Sequence, residues 1–316
     1  MTTRAAIHVP VLRDRIVELL APALQRPGAV YVDGTLGLAG HAVAVLEACP
    51  QARLIGIDRD LDAHAVATER LGDLAERATL VHAGYDELPR VLAEQGIERI
   101  DAMLLDLGLS SLQIDTVERG FAYRVDAPLD MRMNATEGPT AADVLNGYPE
   151  AELARILSWY GEERFAARIA RAIVAGRPYT SSARLVETIS GAIPAAARHT
   201  GGHPAKRTFQ ALRIEVNREL DGLRAVLPAA LSALAVGGRL AVLSYHSLED
   251  RMVKRAMAEL AVDRAPKGMP VVPPHLMAQL RLLTRGAERP GAEEVGHNPR
   301  AASARLRVAE RIREDA

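Results

Sequence analysis

Short aliphatic runs alternate with longer amphipathic stretches through the first third of the chain. Each short run ends in Gly or Asp, which is typical of a buried strand that stops at a loop. The runs are residues 29–34, 53–58, 78–84 and 100–108, and helix-length stretches lie between them at 39–48, 61–71 and 85–94. The pattern predicts an α/β fold with a doubly wound, Rossmann-like parallel sheet, which binds ligands at the carboxyl ends of its strands.

This alternation stops after residue 108. From 140 to about 198 only helical patterning occurs, and a basic stretch at 204–234 leads to a strand-like run at 237–247 with a Gly-Gly turn before it. We therefore expect an all-helical domain inserted into the sheet-bearing one.

The remaining sequence returns to the sheet. A helix is expected at 248–260, and the last two strand candidates are 281–284 and 304–309. The expected sheet is mostly parallel, with an antiparallel strand near the C-terminus. The predicted domains are 1–125 with 205–316, and an inserted helical domain at 126–204.

Composition narrows the class of protein. The chain has 316 residues, is 48% hydrophobic and 25% charged, and has a single cysteine, Cys49. This excludes a disordered chain and an internal disulfide, and no apolar run is long enough for a membrane span. We expect a cytoplasmic protein with no membrane contact.

The net charge of −1 hides a separation of charge along the chain. Residues 1–150 hold 13 basic and 23 acidic side chains, a net of −10, whereas residues 155–218 hold 11 basic and 4 acidic ones, a net of +7. A contiguous basic segment attracts phosphate groups. Taken singly, each arginine is typical of a solvated helix face, so only their clustering favours a nucleic-acid partner.

The loop after the first predicted strand carries candidate chemistry. It runs from Asp33 through three glycines at three-residue spacing, Gly34, Gly37 and Gly40, to His41. Glycines let a ligand approach the backbone, and the following helix start directs N–H groups toward it. The loop lacks the GxGxxG of a pyrophosphate site, which disfavours NAD and favours an adenosine ligand such as S-adenosylmethionine.

Two further acids end predicted strands. Asp58 ends the second strand, where an acid typically binds ribose hydroxyls. Asp60 can cap the next helix, which leaves Asp58 available for such a ligand. Asp106 ends the fourth strand beside Gly, Ser and Gln side chains. We expect Asp33, Asp58 and Asp106 to lie on one rim of the sheet.

Other chemistries fit less well. The segment around Ser244, His246 and Asp250 lacks the G-x-S-x-G elbow of a hydrolase. The histidines show no spacing typical of metal ligands. We expect no metal.

Several segments together resemble one family, the bacterial 16S rRNA cytosine-N4 methyltransferases known as ribosomal RNA small subunit methyltransferases H. The matching segments, in order along nearly the whole chain, are HVPVL, YVDGTLGLAGH, GIDRD, LLDLGLSSLQ, ERGFAY, APLDMRMN, YGEERFAARIARAI, HPAKRTFQALRIEVNREL, SYHSLEDRMVKR and NPRAASARLRVAER. The resemblance implies a methyltransferase sheet with a helical insertion. It also implies methyl transfer from S-adenosylmethionine to N4 of a cytidine in the ribosomal decoding region.

The resemblance also assigns residues. By motif position, the cofactor contacts fall on Ala39, Gly40, His41, Asp58, Tyr85, Asp106 and Gln113. Ala39, Leu112 and Asn134 depart from the family's usual Gly, Pro and Asp. Ala39 would strain the loop only if its position requires a positive φ.

The chemistry of the acceptor can be argued from its structure. The N4 amine of cytosine is a weak nucleophile because its lone pair is delocalised into the ring, so transfer requires positioning and a proton acceptor. Asp106 is the candidate catalytic residue, and Tyr245 and Phe121 are candidate stacking partners for the base. Substrate RNA is expected at Lys206, Arg207, Arg213 and His246.

The expected partner is 16S rRNA within the small ribosomal subunit or its precursor, and a homodimer is left open. Two alternatives also stay open at this point. One is a nucleotide-dependent oxidoreductase on the same sheet, and the other is a non-catalytic RNA-binding protein that has kept the fold.

Overall fold

The computed structural model describes residues 9–197, 202–266, 269 and 272–314. The chain divides into two compact units, Met1–Gly108 with Asp221–Ala316, and Leu109–Leu220. The predicted insertion, 126–204, falls within the second unit, which extends further at both ends. His8 of the HVPVL segment and Arg198 at the end of the helical stretch lie outside the described residues.

The first unit contains a seven-stranded sheet. Its strands are β1 (Val30–Asp33), β2 (Arg53–Asp58), β3 (Ala78–His82), β4 (Ile100–Asp106), β5 (Leu234–Ser244), β6 (Leu280–Leu282) and β7 (Arg305–Arg311). The strand order is β3-β2-β1-β4-β5-β7-β6. The first five strands pair in parallel and β7 pairs antiparallel with β5 and β6. The predicted fold class is confirmed.

The helices follow the predicted alternation closely. In chain order they are α1 (Arg13–Leu20), α2 (Gly40–Ala48), α3 (Leu61–Leu71), α4 (Leu88–Glu94), α5 (Ser111–Asp115), α6 (Ala141–Gly147), α7 (Glu150–Trp159), α8 (Ala166–Ala175), α9 (Ser182–Ala192), α10 (Lys206–Asn217), α11 (Glu219–Ala233), α12 (Ser247–Leu260) and α13 (Ala292–His297). None of the helices in the described ranges combines the length and apolar content that a membrane crossing needs.

Each face of the sheet is buried in its own core, because successive side chains of a strand point to opposite faces. Tyr31 and Leu104 lie in one core. Val32, Met103 and Leu105 lie in the other. Because β1 and β4 are buried on both sides, they appear in the sequence as continuous apolar runs. They are parallel neighbours, so their carboxyl ends lie at the same edge of the sheet.

The position of β1 within the sheet creates a binding crevice. β1 pairs with β2 on one side and with β4 on the other. The chain therefore runs from β1 toward one edge of the sheet, through β2 and β3, and then crosses back to the other side of β1 at β4. Ligands of open α/β sheets bind at such a reversal of strand order. The reversal lies at the carboxyl ends of β1 and β4, where Asp33 and Asp106 stand.

The second unit is helical and has its own core. Its helices are α5–α10, and their buried side chains include Leu153, Ile169 and Leu212. Among its described residues the only extended pairing is an isolated bridge between Pro128 and Ser181. Its fold therefore agrees with the helical patterning of the sequence.

One local prediction was wrong. The expected turn at Gly237 and Gly238 lies inside β5, which begins at Leu234. The pairing with β4 jumps from Ile100–Leu234 to Ala102–Arg239, and Gly237 has a φ of 83°. The two glycines therefore form a bulge, which places extra residues in one strand without ending it.

Candidate active site

The loop after β1 is held between two strands. The Gly34 N–H donates to the Leu104 carbonyl oxygen at 2.9 Å, and the Leu36 N–H donates to the Ile57 carbonyl oxygen at 3.0 Å. A Cβ at Gly34 would lie 2.7 Å from Leu105 Cδ2. The glycine is therefore required by the close approach of the loop to β4.

The helix that follows this loop is open at its start. Ala39 precedes α2 with a φ of 58°, and no side chain caps the helix. The position does require a left-handed backbone, which strains an alanine by about 1 kcal/mol. N–H groups in the first turn have no partner within the helix, so they are available to a polar ligand.

His41 is a buried side chain with unused polar atoms. It is 6% exposed, and neither ring nitrogen has a hydrogen-bond partner among the described residues. Its Nε2 lies 3.5 Å from Asp106 Oδ2. Buried polar atoms are usually satisfied, so an orphaned imidazole at a helix start indicates a missing ligand.

Asp33 lies at the centre of the rim and is 1% exposed. Its Oδ2 accepts a hydrogen bond from Tyr31 Oη at 3.2 Å, and its Oδ1 accepts one from the Thr35 N–H at 3.2 Å. Burial raises the pKa of Asp33 to about 6 despite these bonds and the nearby His41. No lysine or arginine among the described residues pairs with this carboxylate, so a cation bound nearby would stabilise its charge.

Asp58 holds the glycine loop from the end of β2. Its Oδ2 accepts from the Gly37 N–H at 2.7 Å and its Oδ1 from the Asp60 N–H at 2.9 Å, while burial raises its pKa. Asp60 caps α3 through the Asp62 N–H, which confirms the predicted cap. The free lone pairs of Asp58 suit ribose hydroxyls.

Asp106 receives a hydrogen bond from the next strand. Tyr245 Oη donates to its Oδ1 at 2.8 Å, and Thr35 Oγ1 accepts from its N–H at 2.7 Å. Burial, together with the Asp106 charge, raises the pKa of Tyr245 well above its ordinary value, so it stays a donor. The Asp106 side chain is 27% exposed and therefore accessible to a substrate.

The turn that carries Tyr245 is held by a buried acid. Glu249 Oε2 accepts from the Tyr245 N–H at 2.8 Å and from the His246 N–H at 3.2 Å. Glu249 is 2% exposed, and its Oε1 lies 3.0 Å from His246 Nε2. The side chain of His246, which was predicted to contact RNA, is only 8% exposed and lies against Glu249.

Tyr85 follows β3 in a short turn of 3-10 helix, Tyr85–Glu87. Arg59 lies over its ring at 5.4 Å from the centroid. A Cβ at Gly222 of α11 would lie 3.1 Å from Tyr85 Cε2. The ring is therefore fixed between an arginine and a glycine.

The remaining predicted residues belong to the second unit. Gln113 is buried in the first turn of α5, where its Oε1 accepts from the Ser110 N–H at 3.1 Å. Arg213 makes two hydrogen bonds to Glu219, at 2.8 and 2.9 Å, so a phosphate would compete with that carboxylate. Lys206 and Arg207 are exposed at the start of α10, and Phe121 is buried in the unit's core.

The site contains residues that the sequence did not identify. Tyr31, Thr35 and Glu249 all form hydrogen bonds that hold the rim. Of these three residues, only Glu249 could have been identified from the sequence. It lies in the first turn of α12, where an acid is typical of a helix cap.

The rim fits S-adenosylmethionine. Two acids, Asp33 and Asp106, flank the buried and unsatisfied His41, and the electrostatic effect of Asp106 raises the pKa of Asp33 further. A sulfonium cation would neutralise part of this charge, the uncapped α2 would bind its carboxylate, and Asp58 would bind its ribose.

A parallel sheet that reverses at β1, with acids at three strand ends and an open glycine loop, defines a Rossmann-like methyltransferase that uses S-adenosylmethionine. The chain belongs to the MraW methylase family, whose model matches residues 5–312. It is 61% identical over 313 residues to the "Ribosomal RNA small subunit methyltransferase H" of Thermobifida fusca, covering 98% of this chain and 95% of that protein. It is 64% identical over 309 residues to the protein of the same name from Frankia alni, covering 96% and 95%.

Proposed function

We propose that this methyltransferase modifies 16S rRNA, and that it transfers the methyl group to N4 of a cytidine in the decoding region. The proposal for the RNA rests on the name shared by its close relatives. The proposal for the amine rests on the resemblance of the motifs and on the chemistry of the strand end. We place the reaction in the cytoplasm, on the small subunit or its precursor.

The observation that carries the proposal is the position of Asp106. This carboxylate stands at the end of β4, next to β1 and the glycine loop, and has one oxygen held by Tyr245. Its second oxygen faces His41 Nε2 at 3.5 Å. A partly exposed carboxylate with one fixed oxygen can orient an amine that approaches the cofactor loop.

When bound, S-adenosylmethionine supplies an electrophilic methyl group on sulfur. Asp106 accepts a hydrogen bond from the N4 amine and directs its lone pair. As the nitrogen–carbon bond forms and the sulfur–carbon bond breaks, the amine becomes acidic, and Asp106 takes the proton. The Tyr245 hydroxyl keeps the carboxylate in place during this step.

The family membership decides between the alternatives left open by the sequence. A nucleotide-dependent oxidoreductase and a non-catalytic RNA-binding protein are both unsupported, because the chain matches a methylase family over residues 5–312. The acceptor atom and the nucleotide are the parts of the function that require a direct experiment.

That experiment is methyl transfer to defined substrates. Small subunits from a strain lacking this protein, and 16S rRNA stripped of proteins, are incubated with the enzyme and isotopically labelled S-adenosylmethionine. Mass spectrometry of the digested RNA is expected to find the label on N4 of one cytidine in the decoding region. Label on a ring carbon, on a ribose, or on another RNA would contradict the proposal.

A further inference from the structure

Trp159 is the most unusual surface residue of the second unit. It is the only tryptophan of the chain and ends α7, and 65% of it is exposed. No other large hydrophobic side chain among the described residues is as exposed. Tryptophan is enriched at interaction surfaces because its ring is large and apolar while its N–H can still donate a hydrogen bond.

The Trp159 ring packs against the guanidinium group of an arginine. Arg155, one helical turn earlier, lies 5.5 Å from the centre of the Trp159 ring and 5.9 Å from that of Tyr160. Its Nη2 donates to Glu152 Oε1 at 2.6 Å, which fixes the guanidinium. A ring stacked on a fixed cation is a rigid platform for a second flat group.

The turn after Trp159 rests on the basic start of α10. A Cβ at Gly161 would lie 2.7 Å from the Arg207 carbonyl oxygen, and Arg207 Nη1 donates to the Glu162 carbonyl oxygen at 3.0 Å. The first turn of α10 contains no acid, and both Lys206 and Arg207 are exposed. An exposed aromatic platform thus adjoins two cations.

We propose that Trp159, Arg155, Lys206 and Arg207, here called the tryptophan patch, bind an unpaired stretch of the substrate RNA, with a base stacked on the Trp159 ring that Arg155 supports and phosphates on Lys206 and Arg207. The inference rests on the proposed rRNA substrate. Charge complementarity favours RNA as the occupant, since Lys206 and Arg207 are both exposed cations and the first turn of α10 contains no acid. Aromatic stacking and backbone cations together are how proteins bind single-stranded RNA.

The lone tryptophan makes the patch directly observable. Excited where tyrosine does not absorb, the emission of the full chain reports on Trp159 alone. Titration with a single-stranded oligouridylate is expected to quench this emission saturably, whereas inorganic polyphosphate of equal charge leaves it nearly unchanged. Added salt should shift the quenching to higher RNA concentration, and the Lys206→Ala/Arg207→Ala variant should show the same shift without added salt. Both results would support the proposal.

Substitution gives an independent measurement. Trp159→Ala is expected to weaken binding of fluorescently labelled oligouridylate roughly tenfold, while Trp159→Phe retains most of it. Val125→Ala removes another exposed apolar side chain of the same unit and serves as the matched control, with no expected change. Unchanged RNA binding by Trp159→Ala, or RNA binding without a change in emission, would overturn the proposal.

A further pair of substrates separates RNA from protein. Emission that responds to intact small subunits but to neither stripped rRNA nor oligouridylate would assign the patch to a ribosomal protein and contradict the proposal. The proposed function is tested separately. If it is wrong, the unaltered enzyme transfers no methyl group to the RNA, whatever the emission of Trp159 shows.

Discussion

Tyr245 donates a hydrogen bond from its hydroxyl to Asp106 Oδ1 at 2.8 Å, and so joins the carboxyl ends of two adjacent strands, β5 and β4. The two residues are 139 positions apart in sequence. Their contact leaves one carboxylate oxygen facing His41 and the glycine loop. Asp106 is thereby held as a fixed hydrogen-bond acceptor at the carboxyl end of β4.

Asp106→Asn should abolish most of the methyl transfer. The amide has the same shape but cannot take a proton, so kcat is expected to fall by roughly a hundredfold or more. Single-turnover transfer measures this loss, and calorimetric titration of S-adenosylmethionine is the control. A raised KM for the cofactor with kcat intact would instead make Asp106 a cofactor ligand only.

Tyr245→Phe should have a smaller effect than the loss of the carboxylate. A hydrogen bond to a charged group contributes about 2 kcal/mol, so its loss corresponds to roughly a thirtyfold lower kcat. Single-turnover transfer measures this loss, and the melting temperature is the control. A lower melting temperature with an unchanged kcat would show that Tyr245 serves stability alone.

Cofactor affinity should depend on pH through Asp33. Burial raises its pKa to about 6, so the group is ionised above that pH and neutral below it. Because protonation removes a negative charge, S-adenosylmethionine, a sulfonium cation, should bind roughly tenfold more weakly at pH 5 than at pH 7.5. Calorimetry measures both affinities.

The product S-adenosylhomocysteine is the control for this pH dependence. It shares every titrating group of the cofactor, but its sulfur carries no positive charge. Its affinity should change less over the same range. In the Asp33→Asn variant the two ligands should show the same profile. Equal pH dependence of both ligands in the unaltered protein would remove Asp33 from cofactor binding.

Gly40→Ala should disturb the cofactor loop. An added Cβ would lie 2.5 Å from Pro10 Cγ, so the segment before α1 must shift. We expect a lower affinity for S-adenosylhomocysteine and a lower melting temperature. Gly191→Ala, in α9 with nothing within 4 Å of the added carbon, is the matched control. It should be neutral or slightly stabilising because alanine has the higher helix propensity.

Much of the fold could be predicted from the sequence because the strands of a sheet buried on both faces are continuous apolar runs. β2 was predicted at its observed residues, 53–58, and α3 at 61–71. The bulge at Gly237 was missed because a Gly-Gly pair is equally typical of a turn. Only the pairing of β5 with β4 distinguishes the two.

The candidate site could be predicted only in part. Acids at strand ends are visible in a sequence, so the positions of Asp58 and Asp106 at the ends of β2 and β4 could be predicted, while their roles stay a prediction. The partners that hold them, Tyr245 and Thr35, come from other segments and become neighbours only when β4, β1 and β5 align. Likewise, the sequence left the backbone of Ala39 open, and the left-handed φ of 58° follows from the geometry of the loop.

The sheet that carries the candidate site is built from two stretches of sequence with the whole helical unit between them. β4 ends at Asp106, and its neighbour β5 begins at Leu234. As the chain emerges from the ribosome, the contiguous helical unit can fold while the β4 edge still lacks its partner. Asp106 acquires Tyr245 only after most of the protein has been made. The strand end that carries the candidate site is therefore completed late in synthesis, and a chain truncated before β5 has the glycine loop but no Tyr245 beside Asp106.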